Sequence, residues 1–273
     1  MKVITFMIEK GGCGKSTLAL NMAAGLALKR KANGEPNRVL VIDTDPQDGC
    51  CTLSIGLTRG RGTYNLIAAP DSQEGDWRSV LTHVPTHFSG SAQVPLFITR
   101  SNLEVSNIPM LISDDTILRQ RLDQVKNLFD YVIIDTSPAP GMLIKIIAAA
   151  TTDFIVPTQC EFPSAIDALP GTLSRIVRAI ERYGDQENQP SLLGIVPNQK
   201  RNTVLHRDVF RALRDQYGDM VLRPIPYRTA FSEAVAHKQS IFAYSPNTIE
   251  TEIMWHFIES MQERMEAKYG ERL

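Results

Sequence analysis

The sequence predicts an α/β fold with three layers, in which a mostly parallel twisted sheet is flanked by helices. Short apolar runs rich in Val, Ile and Leu recur along the chain, as in strands that are buried on both faces. Longer amphipathic segments separate these runs, as in βαβ crossovers. A glycine-rich segment joins the first apolar run to the first amphipathic segment, which is the position of a phosphate-binding loop.

Five apolar runs are predicted to form strands: Val3–Ile8, Arg38–Asp43, Tyr131–Asp135, Phe154–Pro157 and Leu192–Val196. Four segments with apolar side chains at helical spacing are predicted to form helices: Ser16–Lys29, Asp115–Phe129, Ser164–Tyr183 and Val204–Tyr217. The polar stretch Asp71–Val94 is predicted to be an irregular excursion or a short helix. No segment resembles a linker, so we expect one domain over residues 1–273.

Composition places the chain among ordinary globular proteins. Its 273 residues are 43% hydrophobic and 22% charged, with a net charge of −1. This balance excludes a globally basic nucleic-acid binder but is compatible with a local basic face. No apolar run approaches the ~20 residues that span a bilayer.

The cysteines carry no sign of a disulfide or metal site. There are four of them, Cys13, Cys50, Cys51 and Cys160, and no two have C-x-x-C spacing. We interpret them as reduced thiols of a cytoplasmic protein.

The glycine-rich segment is the most informative part of the sequence. It consists of Lys10, Gly11, Gly12, Cys13, Gly14, Lys15, Ser16 and Thr17. Its glycines allow the backbone to aim N–H groups at a phosphate, and the following helix adds its partial positive charge. We expect Lys15 to bridge the β- and γ-phosphates of ATP, and Ser16 to ligate Mg²⁺. Thr17 is expected beside the α-phosphate. The alternative is a glycine-rich turn that binds nothing.

Carboxylates follow two of the predicted strands. Asp43 and Asp45 end the second strand, and Asp135 ends the third. Because ligands collect at the carboxyl ends of parallel strands, we expect these acids at the same edge as the loop. Asp43 and Asp135 are therefore candidate Mg²⁺ ligands with Ser16. Helix caps or turn residues are the alternative for each.

These motifs resemble the ParA/MinD family of deviant Walker ATPases. KGGCGKST is similar to its Walker A motif, DTDPQ to its second motif, and DYVIIDTSPAP to Walker B with switch II. IVPTQCEFPSAIDAL and PIPYRTAFSEAVAHKQSIFAY resemble later family segments. The chain lacks the N-terminal helix-turn-helix of some members, so it resembles the short type.

The resemblance implies a P-loop NTPase fold that binds ATP, ADP and Mg²⁺. It further implies a homodimer that sandwiches ATP, in which Lys10 reaches the partner's phosphates and Asp45 orients the attacking water. Hydrolysis is expected to be weak alone and stimulated by a ParB-like or adaptor protein. Asn198 is expected to contact the adenine, with a turn asparagine as the alternative.

Family members differ in whether the dimer binds DNA or membrane. The predicted terminal helix, Ile249–Leu273, has a net acidic polar face, whereas membrane-surface helices carry Lys and Arg. We therefore expect it to pack on the core, with no membrane association. Basic residues cluster elsewhere: Lys200, Arg201, Arg207, Arg211 and Arg214.

The last three of these basic residues share one face of the predicted helix, which favours nonspecific duplex DNA as the ligand. A solvated face, partly offset by Asp208 and Asp215, is the alternative. His206 and His237 are expected at the surface of this region.

The leading hypothesis is a cytoplasmic, nucleoid-associated partition or positioning ATPase that moves a plasmid, chromosome or protein cargo. A MinD-like membrane ATPase and a metal-cluster or assembly ATPase are the alternatives. The cysteine pattern gives the latter no support.

Overall fold

The computed structural model describes residues 1–69, 72–138, 141–161, 164–184 and 189–270. Within these residues the strands β1 to β7 are Lys2–Phe6, Val39–Asp43, Leu81–His83, Leu96–Thr99, Tyr131–Asp135, Asp153–Gln159 and Ser191–Asn198. They form one sheet in the order β3-β4-β2-β5-β1-β6-β7. Every neighbouring pair is parallel except β3 and β4. The predicted mostly parallel sheet is confirmed.

The helices α1 to α13 of the described residues are Lys15–Leu28, Cys51–Ser54, Thr63–Ala68, Trp77–Val80, Thr86–Ser89, Ile108–Leu111, Ile117–Asp123, Met142–Ala150, Ser164–Tyr183, Val204–Tyr217, Thr229–Ala236, Ile241–Tyr244 and Ile249–Tyr269. Short 3₁₀ turns cover Leu103–Asn107 and Gly218–Met220.

Helices cover both faces of the sheet. Successive strand side chains point to opposite faces. In β5, Tyr131 and Ile133 contribute to the core shared with α1 and α13, whereas Val132 and Ile134 join the core shared with α7 and α8. A third cluster packs α8, α9 and α10 over β6 and β7. The predicted three-layer arrangement is therefore confirmed.

The C-terminal helix α13 belongs to this core. Met254, Ile258 and Met261 are fully buried in the cluster that also holds α1. The two helices meet at Gly25, where an added Cβ would lie 2.3 Å from Ile258 Cδ1. The prediction that the terminal helix packs on the core is confirmed over Ile249–Tyr269. Among the described helices, none has the length and apolar content needed to cross a bilayer.

The polar stretch Asp71–Val94 is more regular than predicted, because its described part contains α4, β3 and α5. Strand β4 follows it and was missed as well. Both strands are short, and β3 lies half-exposed at the sheet edge, so neither gives the long buried run that marks β5.

Two helices also differ from prediction. Helix α7 ends at Asp123 instead of Phe129. The buried residue Val125 lies in the turn that follows, and the buried residue Phe129 lies just beyond that turn. Helix α8 was not predicted, because its nine residues are apolar except for Lys145, and a short apolar run does not distinguish a helix from a buried strand.

Parts of two family-like segments lie outside the described residues. These are Ala139–Pro140 and Phe162–Pro163. The last three residues of the predicted terminal helix, 271–273, also lie outside them.

Candidate nucleotide-binding site

The predicted phosphate loop connects β1 to α1 in a conformation that requires glycine. Gly12 and Gly14 have φ angles of 77° and 79°, in the left-handed region. A Cβ on Gly14 would lie 2.3 Å from Nδ2 of Asn198. No side chain caps the first turn of α1, so its N–H groups are available to an anion.

Both lysines of the loop contact protein acceptors. Lys15 is buried, and its Nζ donates to the Lys10 carbonyl over 3.0 Å. Lys10 Nζ donates to Oε1 of Gln159 over 3.3 Å. The Gln159 amide in turn donates to the Gly12 carbonyl over 3.0 Å. A buried ammonium at the end of a glycine loop is suited to neutralise a phosphate.

Asn198 lies where β7 reaches the loop. Its Nδ2 donates to the Cys13 carbonyl over 2.9 Å, so it positions the loop. It also lines a cavity of about 270 Å³ beside Thr17, together with Tyr227 and Phe231. An aromatic-lined cavity next to a phosphate site is suited to a nucleotide base. The prediction for Asn198 did not include these aromatic side chains, which follow in the PIPYRTAF segment.

Two buried carboxylates meet at this edge of the sheet. Asp43 and Asp135 are register partners across β2 and β5, and their ligand atoms lie with Cys51 Sγ within 4.8 Å of one another. Asp43 accepts hydrogen bonds from Thr52 N at 2.7 Å and Thr52 Oγ1 at 2.5 Å. Asp135 Oδ1 is buried without a hydrogen-bond partner.

The unpartnered oxygen suits direct cation binding, whereas Asp43 has its oxygens engaged by protein groups. The carboxylates present thus fit a divalent cation, with Asp135 offering a free oxygen and Asp43 already hydrogen-bonded to protein groups.

Electrostatics support the same assignment. Burial raises the pKa of Asp135 to about 7, and the charge of Asp43 adds to the shift. The Ser16 hydrogen bond and the Lys15 charge oppose it. Burial likewise raises the pKa of Asp43 to about 6, against the Thr52 hydrogen bonds. Two buried carboxylates that repel each other are stabilised when a cation joins them.

Asp45 lies two residues beyond Asp43, just after the end of β2. It is 8% exposed, and its Oδ1 accepts from Gln47 N over 3.0 Å. Arg59, which the sequence did not single out, donates to the Pro46 carbonyl at 2.5 Å and to Asp48 at 2.8 Å. Arg59 therefore fixes the segment that carries Asp45.

Three of the arginines predicted to bind DNA, Arg207, Arg211 and Arg214, are exposed on α10. Within the described residues, the Arg207 side chain donates a hydrogen bond only to Asn202 Oδ1, over 3.5 Å. Arg211 pairs loosely with Asp208 at 4.0 Å, whereas Arg214 donates to the Val221 carbonyl over 3.0 Å. Arg207 and Arg211 are thus the freer cations of the helix.

The residues before α10 are held by aromatic rings. Lys200 Nζ lies 5.9 Å from the Phe210 ring centroid, and the Arg201 guanidinium lies 4.4 Å from that of Tyr227. The expectation that His206 is at the surface is wrong. It is 5% exposed because its Nδ1 accepts from Arg201 N over 3.1 Å beneath the helix start. His237 is exposed, as predicted.

All four cysteines are free and buried. Burial raises the pKa of the Cys50 thiol to about 12 and that of Cys160 to about 11. Both thiols therefore stay protonated at neutral pH in the metal-free protein.

The fold has three layers, a sheet between two layers of helices. A glycine loop, two loop lysines and paired carboxylates lie at one edge of the sheet, and together they define a P-loop ATPase. The chain belongs to the family described as AAA domain, whose model matches residues 1–192, and within it to the ParA/MinD ATPases. The chromosome-partitioning ATPase Soj of Treponema pallidum is 30% identical over 250 residues, covering 89% of this chain and 90% of that protein. The chromosome partitioning protein ParA of Caulobacter vibrioides is 32% identical over 251 residues, covering 89% and 87%.

Solved structures share the fold. An ATP complex of McdA from Cyanothece superposes with a TM-score of 0.78 at 18% identity, covering 97% of this chain and 96% of that one. Cobyrinic acid a,c-diamide synthase from Mycobacterium smegmatis, with a bound ATP analogue and magnesium, gives 0.70 at 22% identity, covering 100% and 98%.

Proposed function

We propose that this protein is a ParA-like partition or positioning ATPase that cycles between a monomer and an ATP-bound dimer, with residues 1–273 acting as one unit. The observation that carries the proposal is the pairing of Lys10 with Lys15 around one glycine loop. A P-loop that serves one chain needs a single lysine for the phosphates. A second lysine at the loop entrance is suited to a nucleotide shared between two chains.

Each residue of the site then has its own role in the cycle. Gly11, Gly12, Cys13 and Gly14 present backbone N–H groups to the phosphates, and Lys15, Ser16 and Thr17 contact them from the helix start. Ser16, Asp135 and Asp43 would hold Mg²⁺, which would supply positive charge against the phosphates. Asp45 orients the attacking water, and Asn198 borders the base cavity. Intrinsic hydrolysis is weak, and a partner protein raises it.

The dimer binds duplex DNA without sequence preference through the basic surface before and along α10. Its five members are Lys200, Arg201, Arg207, Arg211 and Arg214. Two copies double the number of phosphate contacts, so affinity rises steeply when ATP joins the subunits. A ParB-like or adaptor protein then stimulates hydrolysis and releases the DNA. The protein is accordingly cytoplasmic and associated with the nucleoid.

Retention of random-sequence duplex DNA by ATP-loaded and ADP-loaded protein tests the proposal. We expect DNA retention with ATP and Mg²⁺ and its loss with ADP. Arg207→Glu with Arg211→Glu should weaken retention and reduce the salt slope by about two per subunit, while ATP-dependent dimerisation stays intact.

Lys126→Glu is the matched control, because Lys126 is exposed at the end of the α7 region, away from α10. Equal retention in both nucleotide states would contradict ATP-gated binding. Retention on anionic vesicles in place of DNA would favour the membrane alternative.

A further inference from the structure

A second basic surface lies outside the site described so far, in a groove between α8 and α9. The groove has a volume of about 560 Å³. Apolar side chains form its floor: Met7, Ile144, Ala148 and Ala179. A cavity of this size is large enough to receive several side chains of a ligand.

The rim of this groove is cationic. Lys145 lies on the α8 side, and Arg175, Arg178 and Arg182 lie on α9, where their spacing of three and then four places them on one face. Two of these arginines have acidic partners. Arg175 pairs with Glu9 at 2.6 Å, and Arg182 pairs with Asp115 at 2.8 Å.

The other two cations are available to a ligand. Lys145 and Arg178 are both exposed, and neither forms an ion pair within the described part of the chain. They therefore give the groove a net positive rim above an apolar floor.

This combination discriminates between classes of ligand. The phosphates of duplex DNA would pair with the cations, but its sugar–phosphate exterior has no apolar face to cover the floor of the groove. A polypeptide segment with acidic and apolar side chains on alternate faces satisfies both parts at once. We propose that the α8–α9 groove docks an acidic amphipathic segment of a partner protein.

The groove is linked to the phosphate loop through Glu9. Glu9 immediately precedes Lys10, and its carboxylate holds Arg175 on the groove wall. A carboxylate of the docked segment would compete for Arg175 and release Glu9, which loosens the entrance of the loop. This coupling rests on the proposed function, since it assumes that a partner stimulates hydrolysis; docking itself does not.

The test uses a defined probe, a fluorescein-labelled synthetic helix of about 18 residues built from Leu, Ala and Glu with Leu on one face. Fluorescence anisotropy without nucleotide measures its binding to the full chain. We expect saturable binding that is about tenfold weaker for Lys145→Glu with Arg178→Glu, because two exposed charges are reversed. Lys126→Glu should bind as the unmodified chain does, and circular dichroism checks that each variant is folded.

A peptide of the same composition with scrambled order, which has no apolar face, should bind at least several-fold more weakly. Equal affinity for the two peptides, or unchanged affinity in the double variant, would overturn the proposal. Binding of a duplex oligonucleotide that depends on Lys145 and Arg178, with no peptide binding, would assign the groove to nucleic acid instead. Concentration-dependent self-association lost in the double variant, again without peptide binding, would assign it to a second copy.

The groove proposal and the proposed function can be accepted or rejected independently of each other. ATP-dependent dimerisation and DNA retention of the double variant are measured in parallel. Peptide binding without ATP-dependent dimerisation would leave the groove assignment standing and reject the ATPase cycle. The reverse result would reject the groove alone.

Discussion

Lys10 and Gln159 form a hydrogen bond across 149 positions of sequence, with Lys10 Nζ 3.3 Å from Gln159 Oε1. The same Gln159 amide donates to the carbonyl of Gly12 and to Oε1 of Gln199, each over 3.0 Å. The lysine that we assign to the partner's nucleotide is thus held by its own chain. Reaching across an interface requires it to exchange this acceptor for phosphate.

The two loop lysines are expected to differ when removed. Lys10→Met should keep ATP binding by the monomer, because Lys15 still faces the phosphates, but lose the ATP-dependent dimer. Lys15→Met should lose ATP binding by about a hundredfold or more, because the buried cation is gone. Sedimentation velocity and a fluorescent ATP analogue measure the two effects. A normal ATP dimer of Lys10→Met would refute the interface role.

Asp45→Asn is expected to separate binding from turnover. It preserves the size of the side chain and the turn acceptor for Gln47 N while removing the charge that orients water. Phosphate release should fall by about a hundredfold or more, with ATP affinity nearly unchanged. Asp123→Asn, at an exposed carboxylate at the end of α7, serves as control. Undiminished phosphate release would remove Asp45 from the mechanism.

Stability of the metal-free protein should depend on Asp135 between pH 4 and pH 7. The folded pKa is raised to about 7, so the folded state holds a proton that the unfolded state has released. The contribution of Asp135 to the free energy of unfolding is fully present below the pKa of the unfolded state and is lost as pH rises through about 7.

Chemical denaturation at pH 4.5 to 7.5 checks this. Asp135→Asn should gain stability relative to the parent as pH rises, with a limiting slope of about 1.4 kcal/mol per pH unit. Added Mg²⁺ should reduce this gap at pH 7.5 by stabilising the parent carboxylate. Parallel pH profiles for the two proteins would contradict the shift.

The glycine loop offers a matched pair of substitutions. Gly14→Ala places a Cβ at a positive φ and 2.3 Å from Asn198 Nδ2, so it should displace Asn198 and abolish nucleotide binding. Gly11→Ala meets no atom within 4 Å and has no positive φ, so its nucleotide affinity should change far less. Isothermal titration with ADP and Mg²⁺ measures both. Equal losses would show that contact with Asn198 is not the cause.

Helix α13 provides a test of the core. Ile258→Ala removes a fully buried side chain packed on α1 and should lower the free energy of unfolding by about 2–5 kcal/mol. Ile249→Ala, at a residue 56% exposed in the same helix, should change it by less than about 0.5 kcal/mol. Similar small effects in both variants would show that α13 is not part of the core.

Prediction from sequence succeeded where the signal was local. Tyr131–Asp135 was predicted at its observed bounds, because five consecutive buried residues end at a carboxylate. The phosphate loop was recognised from adjacent glycines. The Gln159 contact with Gly12 has no such signal, because the two residues are 147 positions apart.

The groove between α8 and α9 could not be predicted from the sequence for a related reason. Helix α8 is too short and too apolar to be distinguished from a buried strand by sequence, and its apolar side chains lie beside the basic face of α9 only once the two helices pack together. Arg59 also gave no signal, because its role depends on a contact with the Pro46 carbonyl that its own surroundings in the chain do not indicate.

The packing of α1 against the C-terminal region gives the molecule an optical probe of its own. Lys29, just beyond the end of α1, lies over the ring of Trp255 at 5.9 Å, and Phe242 lies 4.5 Å from the same ring. The other end of α1 carries the phosphate loop, about 21 Å away along a helix of 14 residues. A rigid shift of α1 on nucleotide binding would change the surroundings of the indole. The fluorescence of Trp255, isolated by Trp77→Phe, would therefore report events at the loop without a label.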